Sequence, residues 1–352
     1  MESSSRVSGP CSYNISVTGL IEDANFLYEQ NNYIAAEKQF KLVLDIEPNN
    51  VLALVGYAHA LHKQAKKTEA GIIYQKALSI EPRNVNALIG YSSILNDHAD
   101  TYILAEKHIK LALDIEPKNV KALMVFARLL TEQAKVEEAE RTCQEALEIE
   151  PRNTLVLAGY ATLLLLQGRL IEAEKKYQEA LEIEPRNVLY LAVYATLLSC
   201  QGKQKEAEQK SQEAVEIEPN NMDILGGHAE ILLKHNKVAE AEKQLNLALT
   251  YDSEHKGILL TYSKLLISQG RYIEAEQKIQ VAYEREPSDA LILLIFGDCL
   301  LMQRRYAEAE LKLKAAYDIE PNNSDIIKSY IKVLRIQGKN EQANNLRNPT
   351  AA

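Results

Sequence analysis

The groups in this 352-residue chain that could hold a metal or attack a substrate are few and scattered. His59 and His62 stand three apart, so on a helix they share a face, and Asp97, His98 and Asp100 follow one repeat later. Imidazoles at that spacing with carboxylates nearby form a zinc-type donor set. The spacing alone closes no tetrahedral site. His59 and His62 are therefore read first as polar groove residues, with metal ligation as the lesser alternative and no cofactor expected. His228 and His235 fall on a buried-type and a loop position, and both read as structural. Cys11, Cys143, Cys200 and Cys299 form neither a CxxC nor an even framework, which points to reduced thiols. Cys143 occupies a core-type position, Cys299 stands beside the core position of Leu300, and no cation is placed to lower a thiol pKa. Phosphate-loop, dinucleotide, zincin and nucleophile-elbow motifs are absent from the sequence. The chain is expected to be no enzyme.

Composition narrows the partners. The net charge is −9 and the pI near 5.5, so no domain-wide basic field exists for nucleic acid or anionic lipid. No apolar run is long enough to span a membrane. The N-terminal stretch up to Ser16, with one Arg and no apolar core, does not read as a secretory signal. A cytoplasmic protein is expected, although export without a cleavable signal would leave the same features.

What must position any functional side chain is a repeat. Pro48, Pro82, Pro117, Pro151, Pro185, Pro219, Pro287 and Pro321 recur at one interval, broken only by a doubled gap after Pro219 and a single insertion after Pro82. That interval, about 34 residues, is the size of one solenoid-type repeat. The skipped register falls on Ser253, and the inserted residue falls within 96–101. Nine units follow: 17–50, 51–84, 85–119, 120–153, 154–187, 188–221, 222–255, 256–289 and 290–323. Residues 324–346 read as a partial tenth unit that caps the array, with its second helix expected from Glu341 to Arg347. Residues 1–16 and 347–352 read as tails.

Inside a unit the pattern is two amphipathic helices. Leu157, Tyr160, Ala161 and Leu164 recur on one helical face, and Gly168 suits the left-handed residue that ends it. Tyr177, Ala180, Leu181 and Ile183 form the face of the second helix, which Pro185 stops. The turn position also carries Gly202, Gly270, Gly338, Asn31 and Asn236, whereas Ala65, Ala134 and Arg304 imply less ideal turns. Small residues recur where paired helices approach: Ala58, Ala127, Ala161, Ala195 and Ala229, then Ala36, Ala70, Ala105, Ala139, Ala173, Ala207, Ala241, Ala275 and Ala309. Glu172/Lys176, Glu206/Lys210, Glu274/Lys278 and Glu308/Lys312 are expected to pair at i, i+4 on the outer surface.

This pattern resembles the tetratricopeptide repeat family from residue 17 to about residue 346, through its period and through Ala161, Gly168, Ala173, Ala180 and Pro185. Leu54, Leu88, Leu123, Leu157 and Leu191 stand where the family has tryptophan. The resemblance implies an all-α fold, an α-solenoid wound as a right-handed superhelix of helix-turn-helix repeats with a C-terminal capping helix. It also implies a concave groove lined by positions 2, 5, 9, 12 and 13 of each unit. Those positions hold Leu155, Ala158, Thr162 and Leu165 in the fifth unit, and Leu189, Ala192, Thr196 and Ser199 in the sixth. In the ninth they hold Leu291, Leu294, Leu301 and Met302, with Asp298 alongside. An exposed apolar strip of this kind marks a partner surface.

The implied function is a non-catalytic scaffold that takes a peptide or helix of a partner protein in the groove. At the positions where relatives clamp the C-terminal tails of heat-shock chaperones, this chain has Ile21, Asn25, Gly56, Asn86 and Gly90. Chaperone tails are therefore disfavoured. Two rivals remain at this stage: self-association into a homo-oligomer, and service as a regulatory subunit of an enzyme whose catalytic chain is separate.

Overall fold

The structure, a computed structural model, describes residues 16–95 and 101–346. Asp97, His98 and Asp100, Cys11 and most of both tails lie outside these residues. Among the described residues there are twenty α-helices and no strand. They divide between two compact units, residues 1–167 and 168–352.

The first unit holds α1 (Val17–Glu29), α2 (Tyr33–Ile46), α3 (Val51–Lys63), α4 (Lys67–Ile80), α5 (Val85–Leu95), α6 (Tyr102–Ile115), α7 (Val120–Glu132), α8 (Val136–Ile149) and α9 (Thr154–Leu166). The second holds α10 (Leu170–Ile183), α11 (Val188–Cys200), α12 (Gln204–Ile217), α13 (Met222–Lys234), α14 (Val238–Tyr251), α15 (Lys256–Ser268), α16 (Tyr272–Arg285), α17 (Ala290–Met302), α18 (Tyr306–Ile319), α19 (Ser324–Ile336) and α20 (Asn340–Asn345). Within each unit, successive helices pack as antiparallel pairs, and the odd-numbered helices also stack side by side as an inner layer. Each unit is thus a stretch of α-solenoid.

Helix starts and stops follow from four-residue turns. In Glu47-Pro48-Asn49-Asn50 the proline ends α2, and the Asn50 carboxamide oxygen caps α3 by accepting from the Ala53 N–H at 3.0 Å. Its Nδ2 donates back to Glu47 at 2.8 Å, which fixes the cap rotamer. Asn84, Asn119, Asn153, Asn187, Asn221 and Asn323 repeat the arrangement. Where the proline is missing, His255 caps α15 through Nδ1.

Between paired helices the chain turns through one left-handed residue. Gly168, Gly202, Gly270 and Gly338 have φ of 74° to 78°. Asn31, Ala65, Ala134, Asn236 and Arg304 adopt the same conformation, with φ of 56° to 64°. The turns at Ala65, Ala134 and Arg304 are therefore as regular as the others, which corrects the sequence expectation. Two backbone bonds force the geometry: the Lys66 N–H reaches the Leu61 carbonyl and the Ala65 N–H reaches that of His62, each at 3.0 Å. A Cβ in this region costs about 1–2 kcal/mol.

The close-approach alanines lie at the centre of each pair. Ala36, Ala70, Ala105, Ala139, Ala173, Ala207, Ala241, Ala275 and Ala309 are all fully buried. Ala58, Ala127, Ala195 and Ala229 oppose members of that series and are buried too, as is Ala161. The array is closed at its C-terminal end by α19, whose Ile326, Tyr330, Val333 and Leu334 bury against Leu313 and Ala316 of α18. The short α20 begins at Asn340, one residue before the expected start.

A polar ladder, not the expected i, i+4 pairs, links one repeat to the next. Glu37 of α2 accepts from Gln64 Nε2 and Lys66 Nζ, both at 2.9 Å, in the turn that follows α3. The same set recurs at Glu106 with Gln133 and Lys135, at Glu174 with Gln201 and Lys203, and at Glu276 with Gln303 and Arg305. At Glu208 the glutamine is replaced by His235, whose Nδ1 lies 3.1 Å away beside Lys237. Glu172, Glu274 and Glu308 instead pair three residues back, with Arg169, Arg271 and Arg305, while Lys176 and Lys210 turn to Glu179 and Glu213. Pairing at i, i+4 occurs instead at Glu37–Lys41 and Glu106–Lys110, at 2.9 and 2.6 Å.

Three measurements test this account. Ala207→Leu should destabilise by about 1–3 kcal/mol in a thermal melt, because a fully buried alanine leaves no room for a larger side chain. Ala134→Gly should stabilise by about 0.5–1 kcal/mol, since relief of left-handed strain exceeds the entropy glycine adds to the unfolded chain. The third concerns acid. Burial works against the Glu37 charge, but hydrogen bonds from Lys41, Lys66 and Gln64 outweigh it and hold the carboxyl at about 2, below its ordinary 4.5. Glu106, Glu174, Glu208 and Glu242 are lowered as well. A carboxyl that takes its proton less readily when folded contributes stability that is complete above pH 4.5 and drains away as pH falls toward 2. Urea midpoints measured across that window should fall, and Glu37→Gln should flatten the fall.

Candidate partner-binding face

In the first unit, the inner helices α5, α7 and α9 enclose a cleft of about 900 Å³. Met124, Val156, Gly159 and Leu163 give it an apolar floor, and Lys121, Arg128, Thr131 and Glu132 of α7 line one side. Leu155 and Leu166 of α9 stand at its edge, 66% and 70% exposed, which is costly for leucine in water and marks a surface that gains from being covered. Arg128 is held in place: one guanidinium nitrogen donates to the Ser93 hydroxyl at 2.8 Å and to the Ser93 carbonyl at 3.1 Å. A cation is thus fixed across the α5/α7 seam without a carboxylate on that arm.

Leu155, Thr162, Lys121, Arg128 and Glu132 are all residues that the groove positions single out, and the structure brings them together here. Met124 and Gly159 complete the floor. Val156, Gly159 and Leu163, which lie off the implied groove positions, were missed by sequence reasoning. A Cβ on Gly159 would run into the Met124 methyl, so the thioether lies over the glycine backbone. Leu165 is half-buried beside this cleft.

Other groove residues behave differently. Ala158 is 9% exposed and lies outside the lining of the α5/α7/α9 cleft. Leu294 and Leu301 are buried at 8% and 5%, packed in one cluster with Leu259, Leu260, Tyr330 and Ile331 from the helices on either side of α17. These three are core residues and not the exposed strip expected of them. The reason is geometric: positions 5 and 12 of an inner helix face its stacked neighbours, whereas position 2 faces out. Leu189 and Leu291, at position 2, are 64% and 45% exposed. Asp298 is half-buried, and burial pushes its carboxyl up against a hydrogen bond from Ser329.

The hydroxyls are largely spent on the protein itself. Thr162 and Thr196 bond back to the carbonyls of Ala158 and Ala192 at 2.9 and 3.1 Å. Ser199 lies 3.3 Å from His235 Nε2, within the polar ladder. Ala192 and Thr196 line a second, smaller cleft between α11, α12 and α13 in the second unit.

The histidines and cysteines take structural places. The His59 ring lies between those of Tyr28 and Tyr74, and burial, aided by His62, Lys121 and Lys63, holds its pKa down at about 4. Among the described residues no three His, Cys, Asp or Glu side chains converge as metal ligands. Burial raises the Cys143 thiol to about 12 and raises that of Cys299. Cys200 is exposed. No helix among the described residues is long and apolar enough to cross a membrane.

Known proteins can now be set beside this geometry. Tetratricopeptide repeat profiles match residues 52–84, 98–163, 227–290 and 260–324, together more than half of the chain. No curated protein matches it. The chain is similar in fold to yeast Tom70, with a TM-score of 0.58 and 12% identity over 94% of this chain and 90% of that one. It is similar also to a chain of the APC/C hetero-tetramer Cut9-Hcn1, with a TM-score of 0.59 and 14% identity over 91% of this chain and 64% of that one. At such identities the likeness is one of fold, and the matching profiles supply the family. With its paired helices, its left-handed turns and its buried alanine pairs, the chain belongs to the tetratricopeptide repeat family.

Proposed function

We propose that the chain is a non-catalytic scaffold whose inner helices hold a segment of a partner protein. The observation that carries this reading is the α5/α7/α9 cleft, where an apolar floor meets a fixed Arg128 and two exposed leucines. Apolar anchors at the centre with polar groups at the rim are how such faces gain affinity and register. The first unit offers Leu155, Thr162, Lys121 and Arg128 as a binding face, and the second offers Leu189, Ala192, Thr196 and Leu291 on its own inner helices. A role without chemistry fits thiols raised by burial and a buried His59 that stays neutral. Two buried, unpaired cysteines suit a reducing compartment such as the cytoplasm.

The test is capture of partners by the full chain, compared with Leu155→Glu/Leu166→Glu and with Ile103→Glu as a control. Ile103 is 85% exposed on α6, away from the inner layer. The double variant should lose at least about tenfold in capture while keeping wild-type helicity, because it forces unpaired charge into a desolvated contact. The control should bind normally. Equal capture by the double variant would place the binding face elsewhere. A wild-type chain that sediments as an oligomer, with the double variant monomeric, would replace the partner by a second copy of this chain.

A further inference from the structure

Along both units, the eighth residue of an outer helix and the sixth residue of the next inner helix share one register. At Phe40/Gly56 and Tyr74/Gly90 an aromatic ring fills the space a Cβ would need. At Tyr177/Val193, Leu245/Thr261 and Ile279/Ile295 there is bulk on one or both sides. Cys143/Gly159 and Ser211/Gly227 break the pattern, because both residues of each pair are small, but the Met124 methyl takes the space over Gly159. A Cβ placed on Gly227 would meet nothing within 4 Å. The missing volume is the cleft of about 290 Å³ between α11, α12 and α13.

This cleft is not merely a packing gap. Ala192, Val193, Ile224 and Ile231 give it aliphatic walls. His228 also lines it and is only 5% exposed. Nδ1 of that imidazole lies 2.7 Å from the Ser211 hydroxyl, while Nε2 has no hydrogen bond from the described residues. That nitrogen is not sealed off from solvent, so it is open to a hydrogen bond from a group that enters the cleft. Asp223 and Thr196 are exposed at the mouth.

Resting on the scaffold reading above, we propose that this cleft is an anchor pocket for a tyrosine of the partner segment. Its ring lies between the aliphatic walls, its phenol hydroxyl bonds His228 Nε2, and a basic neighbour of that tyrosine meets Asp223. An aliphatic side chain would fill the walls but seal Nε2 unpaired. A lysine or arginine would carry an ion into an apolar cleft whose deepest polar group is uncharged, since burial holds the His228 imidazole below its ordinary pKa. A neutral ring with one polar tip satisfies both parts of the site.

The probe is p-cresol, the tyrosine side chain itself, titrated into the full chain and compared with toluene, which lacks only the hydroxyl. Binding of p-cresol should be about tenfold tighter, the worth of one net hydrogen bond, and should shift the His228 Nε2 nitrogen resonance. Gly227→Leu and Ser211→Phe each refill the void and should abolish binding. Gly227→Leu should also keep wild-type helicity, as the space is open and leucine favours helix. Acetyl-Tyr-Lys-amide should bind more tightly than acetyl-Tyr-Glu-amide, and Asp223→Asn should remove the difference. Equal affinity for p-cresol and toluene, or p-cresol binding untouched by both void-filling variants, overturns the proposal. Because p-cresol needs no partner protein, that failure leaves the scaffold reading standing, and loss of the scaffold reading leaves p-cresol binding intact.

Discussion

Everything in this chain depends on two helices being able to approach at one small side chain. The alanines from Ala36 to Ala309 are fully buried because the paired backbones leave room for a methyl and nothing more. That contact fixes the angle within a pair, and the leucine one turn further on fills the space beyond it. The carbonyl of that same leucine then accepts the N–H that closes the left-handed turn, as Leu61, Leu130, Leu198, Leu232, Leu266 and Leu300 do. One residue thus serves both the core and the reversal of the chain, which is why turn geometry is kept even where the residue is Ala65 or Arg304.

Between repeats the constraint changes from packing to polar pairing. Each pair buries a face against the next, as a stacked array requires. The Glu–Gln–Lys/Arg ladder adds a directional contact that a featureless apolar face could not supply. The cost of desolvating a carboxylate such as Glu37 is met by three donors at once, two of them from the following turn. Lys312 plays a related role on the outer surface, where its ammonium sits over the rings of Tyr283 and Phe296.

Function enters where the repeating units differ. The same register carries a ring over glycine at Tyr74/Gly90, a methionine folded over Gly159, and an empty space at Ser211/Gly227. The first presents a filled surface, the second a cleft of about 900 Å³ and the third a smaller one of about 290 Å³. A solenoid can therefore diversify its inner face by swapping one core side chain for a short one, without disturbing the alanine contact that holds the pair.

The proline spacing, the recurring alanines and the glycine turns are local signals, and their shared period made the helix pairs and their core legible without a structure. The outward position of Leu155 and Leu189 was implied by the family resemblance, and both are exposed. Which groove positions stay open was not implied, because Leu294 and Leu301 are covered by helices a full repeat away in sequence, and only stacking shows which flank they close. The ladder was likewise hidden: Glu37 and Lys66 belong to different repeats, whereas the sequence offers charged neighbours at three and four that look equally suitable. The pocket at His228 needed most of all to be seen in three dimensions. A serine on one helix and a glycine on the next are each unremarkable alone, and they make a cavity only because tertiary packing sets them opposite one another.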